Sequence, residues 1–154
     1  QYDKTHLFTP MDEHRYYTPG AHGCRFQLDG VDCGIVICYD IRFPELARTL
    51  ALGGMDVLFV VSQWPGVRTA HLHALLTARA IENQCFVACC NSCGTAQSAV
   101  YGGGSMIVDP WGKTLALAGA HEEILTANCD RAILQQIRAS INVFRDRRPE
   151  LYHL

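Results

Sequence analysis

One cysteine of the sequence stands where a nucleophile is expected. Cys38 lies near the end of the apolar run 34–40, just before a helix that we expect to begin at Pro44. In α/β proteins, ligand sites gather at the carboxyl ends of strands. A thiol at a strand-to-helix turn also feels the positive end of the helix dipole, which favours the thiolate. Most cysteines in such strands are buried and inert, so position alone leaves both interpretations open.

Two further charged residues are candidates for a catalytic role near a Cys38 thiolate. Lys4 is one of two lysines, against eleven arginines, and stands in the strand-like segment 2–8. A buried ammonium there would stabilise developing negative charge, whereas a lysine at a sheet edge would only block pairing with another strand. Glu13 falls in the loop-like segment 9–23, where a carboxylate is ordinarily solvated.

Predicted strands and helices, which must position these residues, alternate along the first two thirds of the chain. This alternation predicts an α/β protein with central sheets covered by helices. Helices are expected from Pro44 to the Gly53-Gly54 pair, over 69–84 with Leu72, Leu75, Leu76, Ala80 and Ile81 on one side, and from Arg131 to about Ser140 with Asp130 as N-cap. Strands are expected over 2–8, 25–28, 34–40, 56–62, 86–91, 105–109, 114–118 and 123–128. The continuous apolar runs predict that the central strands are buried on both faces. The arginine-bearing tail 143–154 is expected to be solvated or to pack between subunits.

Charge and hydropathy argue against two classes of partner. The net charge is -2 and the pI is near 6.4, which gives no electrostatic reason to expect nucleic acid or an anionic membrane surface. The longest apolar run, 57–61, is far too short to span a bilayer.

The cysteine usage predicts a reducing, cytoplasmic location with buried thiols.

A zinc site is the sharper alternative for the cysteines. Cys89, Cys90 and Cys93 crowd into five positions, and Cys90-x-x-Cys93 has the spacing of two zinc ligands. The sequence lacks a second such pair at a typical distance downstream. Core cysteines are therefore the favoured interpretation, and neither a metal nor a cofactor is expected.

The candidate residues fall into motifs that resemble the nitrilase superfamily of carbon–nitrogen hydrolases. The motifs are Tyr2-Asp-Lys-Thr-His-Leu-Phe8, then Glu13, Cys38-Tyr-Asp-Ile-Arg-Phe-Pro-Glu45, Ala78-Arg-Ala-Ile-Glu-Asn-Gln84, Gly104-Ser-Met-Ile-Val-Asp-Pro-Trp-Gly112, Phe144-Arg145 and Leu151-Tyr152. The details are most similar to the omega-amidase branch, and Ser62-Gln-Trp-Pro65 resembles its bacterial members. The resemblance covers essentially the whole chain.

The resemblance implies a fold and a catalytic set. The fold is an α/β architecture, the α-β-β-α sandwich of the nitrilase type. Cys38 is implied as the nucleophile and Lys4 as the catalytic lysine. Glu13 matches a second carboxylate that orients the lysine and the reacting groups. The backbone N–H of Tyr39 is implied as an oxyanion donor beside the ammonium of Lys4.

The resemblance also implies a substrate and the residues that bind it. Arg42 matches an arginine that binds the substrate carboxylate, and Trp64 falls at a substrate-binding position. A planar guanidinium suits a carboxylate because it donates two parallel hydrogen bonds. The implied reaction cleaves the C–N bond of a small amide, the omega-amide of a 2-oxo acid. It passes through a cysteine thioester, releases ammonia and requires no cofactor. Members commonly form homo-oligomers.

The position of the lysine predicts that part of the catalytic set lies outside these residues. In the family that the motifs resemble, the general-base glutamate lies well upstream of the lysine, and no glutamate stands among residues 1–3. We therefore expect residues 1–154 to be the carboxyl-terminal portion of a single carbon–nitrogen hydrolase domain, inactive in isolation. The alternatives are a non-catalytic assembly subunit with the same fold, and a zinc-binding interaction module.

Overall fold

The computed structural model describes residues 1–96 and 99–152, and these form one mixed sheet, a separate hairpin and three α-helices. The strands are β1 (Cys24–Leu28), β2 (Val31–Ile37), β3 (Val57–Ser62), β4 (Phe86–Asn91), β5 (Cys93–Ala96), β6 (Ala99–Gly102), β7 (Met106–Val108) and β8 (Thr114–Leu117). The helices are α1 (Pro44–Leu52), α2 (Thr69–Asn83) and α3 (Ala132–Ser140). The α/β class expected from the alternation of elements is confirmed.

Three parallel strands form the centre of the six-stranded sheet. Its order is β1-β2-β3-β4-β7-β8, and β2, β3 and β4 run parallel, while β1, β7 and β8 each pair antiparallel. Parallel neighbours need a crossover connection, which α1 and α2 provide. The carboxyl ends of β2 and β3 therefore lie side by side, with Ile37 opposite Val61.

Turn chemistry explains where several of these elements begin and end. The two-residue turn Asp29-Gly30 joins β1 to β2 with φ angles of 48° and 74°, the left-handed values that such hairpins require. Pro44 begins α1, where its missing N–H is no loss, and the helix ends before Gly53. Asp130 accepts a hydrogen bond from the Ala132 N–H at the start of α3.

The hydrophobic core lies between α1, α2 and one face of the sheet. Alternate side chains of the strands point into it, since successive residues of a strand face opposite sides. They are Val36 of β2, Leu58 and Val60 of β3, Val87 and Cys89 of β4, and Met106 and Val108 of β7. Leu72, Leu76 and Ala80 of α2 are fully buried against this face, as the helical spacing predicted. Ile81 was expected there and is instead 49% exposed.

Among the described residues, the opposite face of the sheet is only partly covered: Cys33 and Phe86, on this face, are buried, but their neighbours toward the carboxyl ends of the strands are not. Ile35, Phe59 and Ala88 are only half-buried, and Val61 is 43% exposed. The predicted burial on both faces therefore holds at Cys33 and Phe86 and was wrong toward the carboxyl ends of the strands, because α1 and α2 cover a single face. A continuous apolar run does not distinguish a covered face from an open one.

Two strand predictions were wrong and one hairpin was missed. Residues 2–8 form an irregular segment with a bend at Thr5 and His6, because their backbone groups bond to loops and side chains: Gly20 N–H donates to the Lys4 carbonyl, and Phe8 N–H donates to Glu13. Residues 123–128 form no strand pairing. The hairpin β5–β6 escaped prediction because its few apolar residues give no alternation.

The last helix fastens the opposite end of the sheet, where β3 and β4 begin. Arg138 of α3 donates to the Asp56 carboxylate at 2.9 Å and to two backbone carbonyls at 3.1 Å, those of Met55 and Gln84. Across the described ranges, no helix combines the length and the apolar character that crossing a bilayer requires.

Candidate active site

Cys38 lies at the carboxyl end of β2 in a strained backbone conformation. The strand ends at Ile37, Cys38 has φ of 47°, and residues Cys38–Arg42 form a 3-10 helix before α1 begins at Pro44. The left-handed region costs a residue with a side chain about 1–2 kcal/mol. Such strain persists where the surrounding structure imposes it, and it gathers at active sites. The half-buried Cys38 and the following Tyr39 both line the same pocket.

A buried carboxylate two residues later fixes this turn to the segment that carries Lys4. The side chain of Asp40 is fully buried. Its two oxygens receive donors from both segments: Tyr2 Oη at 2.8 Å, Thr5 Oγ1 at 2.9 Å, His6 N at 2.8 Å, His6 Nδ1 at 2.9 Å and Ile37 N at 3.0 Å. Burial raises the pKa of the Tyr2 hydroxyl, so it remains a protonated donor. Asp40 therefore holds Lys4 and Cys38 in a fixed relation.

Helix α2 holds the same turn from the side of the core. The Arg79 side chain is buried and donates to the Ile41 carbonyl from Nη2 at 2.8 Å and from Nε at 3.1 Å. Its Nη1 pairs with the Glu82 carboxylate at 2.9 Å. The predicted motif 78–84 is thus a clamp on the turn that begins at Cys38.

Lys4 and Glu13 form a close ion pair. Lys4 Nζ lies 2.6 Å from Glu13 Oε2, and their side chains are 12% and 26% exposed. The same oxygen accepts the Phe8 N–H at 2.8 Å. The ammonium is therefore largely removed from water, where its charge acts more strongly on a neighbouring oxyanion. The alternative of an exposed lysine at a sheet edge is wrong, since Lys4 is neither exposed nor in a strand.

The six predicted site residues line one pocket of about 620 Å³. They come from the first loop, the turn after β2 and the loop after β3: Lys4, Glu13, Cys38, Tyr39, Arg42 and Trp64. The loop after β3 contributes because its strand runs parallel to β2 and ends beside it. This is the location that parallel sheets favour for ligands.

Arg42 and Trp64 meet across the pocket wall. The Arg42 guanidinium carbon lies 4.7 Å from the centre of the Trp64 ring, a cation–π contact. Asp40 and Glu45 are the carboxylates nearest to Arg42 in the sequence and would be its ion partners if Arg42 were structural. The bonds of Asp40 go elsewhere, and within residues 1–96 and 99–152 no carboxylate pairs with Arg42.

Trp64 is itself held rigidly. It is 3% exposed, and its indole N–H donates to the Arg68 carbonyl at 2.8 Å. The buried Asn91 at the end of β4 accepts the Trp64 backbone N–H at 2.7 Å and donates to the Gly103 carbonyl at 2.6 Å. The indole can therefore serve as a fixed platform for the guanidinium above it.

Sequence reasoning missed three residues of this site. Asp40 lies inside the quoted motif but carried no assigned role, and Asn91 and Arg68 were not singled out. Arg68 lines the same pocket and lies over the Phe8 ring at 5.5 Å. A lone arginine before a helix gives no signal in one sequence, because its value depends on what the fold places opposite it.

Of the three clustered cysteines, Cys89 is buried in the core, Cys90 is exposed and Cys93 is half-buried. Burial raises the pKa of Cys85 and of Cys89 to about 12, so both are protonated and unreactive at neutral pH. Cys89 faces the core, while Cys90 on the next position of β4 is exposed on the other face. In the part of the chain that the structure describes, no three His, Cys, Asp or Glu side chains group closely enough to hold a metal ion.

Known proteins are similar to this chain in sequence. The profile of the family described as carbon-nitrogen hydrolase matches residues 1–139. The 2-oxoglutaramate amidase of Bacillus subtilis (strain 168) is 48% identical over 152 residues, which are 99% of this chain and 59% of that protein. The omega-amidase YafV of Escherichia coli (strain K12) is 38% identical over 147 residues, 94% of this chain and 57% of that protein.

A solved structure extends the likeness to the fold. Saccharomyces cerevisiae Nit3, a member of the nitrilase superfamily, matches with a TM-score of 0.86 and 33% identity over 94% of this chain and 53% of its own. The chain spans a little under three fifths of the two curated relatives. The resemblance drawn from the motifs is confirmed, since profile, relatives and fold agree over nearly all of these residues: the chain belongs to the carbon–nitrogen hydrolase family.

Proposed function

We propose that the protein is an amidase that cleaves the C–N bond of a small carboxylate-bearing amide through a thioester on Cys38. The observation that carries the proposal is the strained Cys38 lining one pocket with the Lys4–Glu13 pair and the Arg42 guanidinium. A nucleophile, an ammonium and an anion-binding group are the components that hydrolysis of an acidic amide needs.

The first chemical step forms a carbon–sulfur bond. The Cys38 thiolate attacks the amide carbon, and the carbonyl oxygen becomes an oxyanion. The Lys4 ammonium and the Tyr39 backbone N–H donate to that oxygen, and each such donor lowers the barrier by about 3 kcal/mol. The C–N bond then breaks, ammonia leaves with a proton, and the acyl group stays on sulfur until water hydrolyses the thioester.

Proton transfer needs a base, and the Glu13 carboxylate already accepts hydrogen bonds from other groups. Its Oε2 accepts hydrogen bonds from Lys4 and from the Phe8 N–H, which suits a residue that orients the ammonium. We therefore assign Glu13 to positioning Lys4. The resemblance assigns the base to a glutamate upstream of the lysine position, which takes the thiol proton and later activates water.

The substrate class follows from the anion-binding group and from the relatives. Arg42 has its guanidinium on the rigid Trp64 and is suited to a substrate carboxylate. Two relatives are named 2-oxoglutaramate amidase and omega-amidase. We infer that the substrate is the omega-amide of a 2-oxo acid.

The setting of the protein is part of the proposal. All eight cysteines are free, and Cys85 and Cys89 are buried, which supports a reducing, cytoplasmic compartment. We infer a homo-oligomer that acts on a small molecule without nucleic acid, membrane or cofactor.

Replacement of Cys38 by alanine tests the proposal. In the full-length protein, Cys38→Ala should abolish ammonia release from an omega-amide while circular dichroism and the melting temperature show an intact fold. Cys90→Ala, at an exposed thiol outside the pocket, is the matched control and should keep activity. Turnover retained by Cys38→Ala would reject the thioester mechanism.

A further inference from the structure

Two guanidinium groups line the pocket, and neither has a charged partner in the part of the chain that the structure describes. Arg42 and Arg68 both line it, and each lies over an aromatic ring, at 4.7 Å from Trp64 and 5.5 Å from Phe8. Among the described residues, neither side chain forms an ion pair or a hydrogen bond. Ring contact orients a guanidinium and leaves its N–H edge free to donate to a ligand.

The two arginines reach the pocket from different elements joined by one side chain. Arg42 ends the turn after β2, and Arg68 lies in the loop between β3 and α2. The Arg42 guanidinium packs over the Trp64 ring, and the Trp64 indole N–H donates to the Arg68 carbonyl at 2.8 Å. Because Trp64 is buried, this contact fixes the backbone of Arg68 relative to the guanidinium of Arg42.

Among the described residues, the charges that line the pocket leave an excess of positive charge. Lys4 and Glu13 neutralise each other at 2.6 Å. The remaining charged lining residues are Arg42, Arg68 and the exposed Asp3. One substrate carboxylate satisfies one guanidinium in a two-point contact, so the second guanidinium is available for another acceptor.

We propose that Arg68 is the residue that selects a 2-oxo acid amide over the matching 2-amino acid amide, by donating to the 2-oxo oxygen while Arg42 holds the carboxylate. The inference rests on the proposed function and names how its pocket chooses a substrate. A ketone oxygen accepts hydrogen bonds, whereas an ammonium at the same carbon has only donors and repels the guanidinium. Arg68 thus attracts one substrate and opposes the other.

The experiment compares three amides that differ only at carbon 2. Full-length wild-type protein and Arg68→Met are assayed for ammonia release from 2-oxoglutaramate, from glutaramate, which lacks the oxo group, and from glutamine, which carries an ammonium. We expect Arg68→Met to lower kcat/KM for 2-oxoglutaramate by about 10- to 100-fold and for glutaramate by less than about threefold. The ratio of kcat/KM for 2-oxoglutaramate to that for glutamine should fall, because the variant no longer has a guanidinium that repels the ammonium of glutamine.

Two controls keep the result interpretable. Arg148→Met makes the same change at a side chain that is 66% exposed and outside the pocket, and it should leave all three rates unchanged. Where Arg68→Met fails to fold, Arg68→Leu, which likewise removes the charge and every N–H donor, takes its place with the same expected ratios.

The outcomes separate this inference from the proposed function. Equal losses on 2-oxoglutaramate and glutaramate, with an unchanged preference over glutamine, would show Arg68 to be structural and overturn the inference alone. A wild-type protein that releases no ammonia from any of the three amides would overturn both. A selective loss on 2-oxoglutaramate supports both.

Discussion

Cys38 has a left-handed backbone that its side chain disfavours, with φ of 47°. The turn is held from both sides, by Asp40 with its bonds to residues 2–6 and by the Arg79 contacts to the Ile41 carbonyl. The fold therefore loses some stability in order to place this one thiol, since most side chains other than those of Asn and Asp carry a penalty in this conformation.

Glycine at this position should relieve the strain. We expect Cys38→Gly to be about 1 kcal/mol more stable than Cys38→Ala, because glycine adopts positive φ without steric cost. Free energies of unfolding from urea denaturation measure the difference. The same pair at Cys33, inside β2 and outside the left-handed region, should give the reverse order, with glycine less stable. Equal free energies of unfolding for Cys38→Gly and Cys38→Ala would contradict backbone strain at this position.

Arg42→Lys should separate recognition from structure. The variant keeps the positive charge and loses the two-point contact with a carboxylate, so binding of carboxylate-bearing amides should weaken by about 1.5–3 kcal/mol. Neutral amides of the same length should be nearly unaffected. KM and kcat for both substrate types provide the measurement, and equal losses would assign Arg42 a structural role.

At the scale of elements, the loop before β1 and the turn after β2 act as one unit through Asp40. A buried carboxylate with five donors satisfies all of them only while it is ionised and accepts at both oxygens. An amide in its place turns one acceptor into a donor that faces other donors.

Asp40→Asn should therefore destabilise the fold by about 2–4 kcal/mol. Urea denaturation gives the free energy of unfolding, and activity should fall with the loosened Lys4 segment even where the protein is folded. Asp12→Asn is the matched control, since its side chain is 52% exposed and asparagine tolerates its φ of 56°. A loss of under about 0.5 kcal/mol at position 40 would mean that water replaces these bonds.

Local signals predicted α1, α2 and β4, whereas long-range bonds decided the segment 2–8. Pro44, Gly53 and the spacing of Leu72, Leu76 and Ala80 act over a few residues, so the sequence shows them directly. The segment 2–8 has the composition of a strand, but its backbone and side chains bond to Asp40, more than thirty residues away. Similarly, Cys38 and Lys4 were found from motifs, and Arg68 required the fold that places it at the pocket.

At the scale of the whole molecule, α1 and α2 cover one sheet face, and the other is open in the described residues except around Cys33 and Phe86. The open face carries Phe26 stacked on Phe59 at 6.2 Å between ring centres, with Val61 beside it in β3. Contiguous apolar surface of this kind promotes association. The apolar runs of β2 and β3 predicted burial without showing that only one side is covered in these residues.

The 154-residue chain made as an isolated polypeptide should self-associate and release no ammonia from omega-amides. Size-exclusion chromatography and an ammonia assay test both expectations. Phe26→Lys, on the open face, should reduce association, whereas Val67→Lys, at a 93% exposed position in the loop after β3, should not. Turnover by the isolated monomer that Cys38→Ala removes would show that a carboxylate among these residues serves as the base.

The contact between Arg42 and Trp64 gives the pocket an optical signal. The chain has two tryptophans, and Trp64 is 3% exposed beneath a cation whereas Trp111 is 57% exposed. The fluorescence of an indole responds to the charge above its ring and to the acceptor on its N–H. An acid that draws the guanidinium toward itself therefore changes the emission of Trp64 directly, and Trp111→Phe removes the background. The intrinsic fluorescence of Trp64 therefore reports substrate binding without an added label and before any bond is broken.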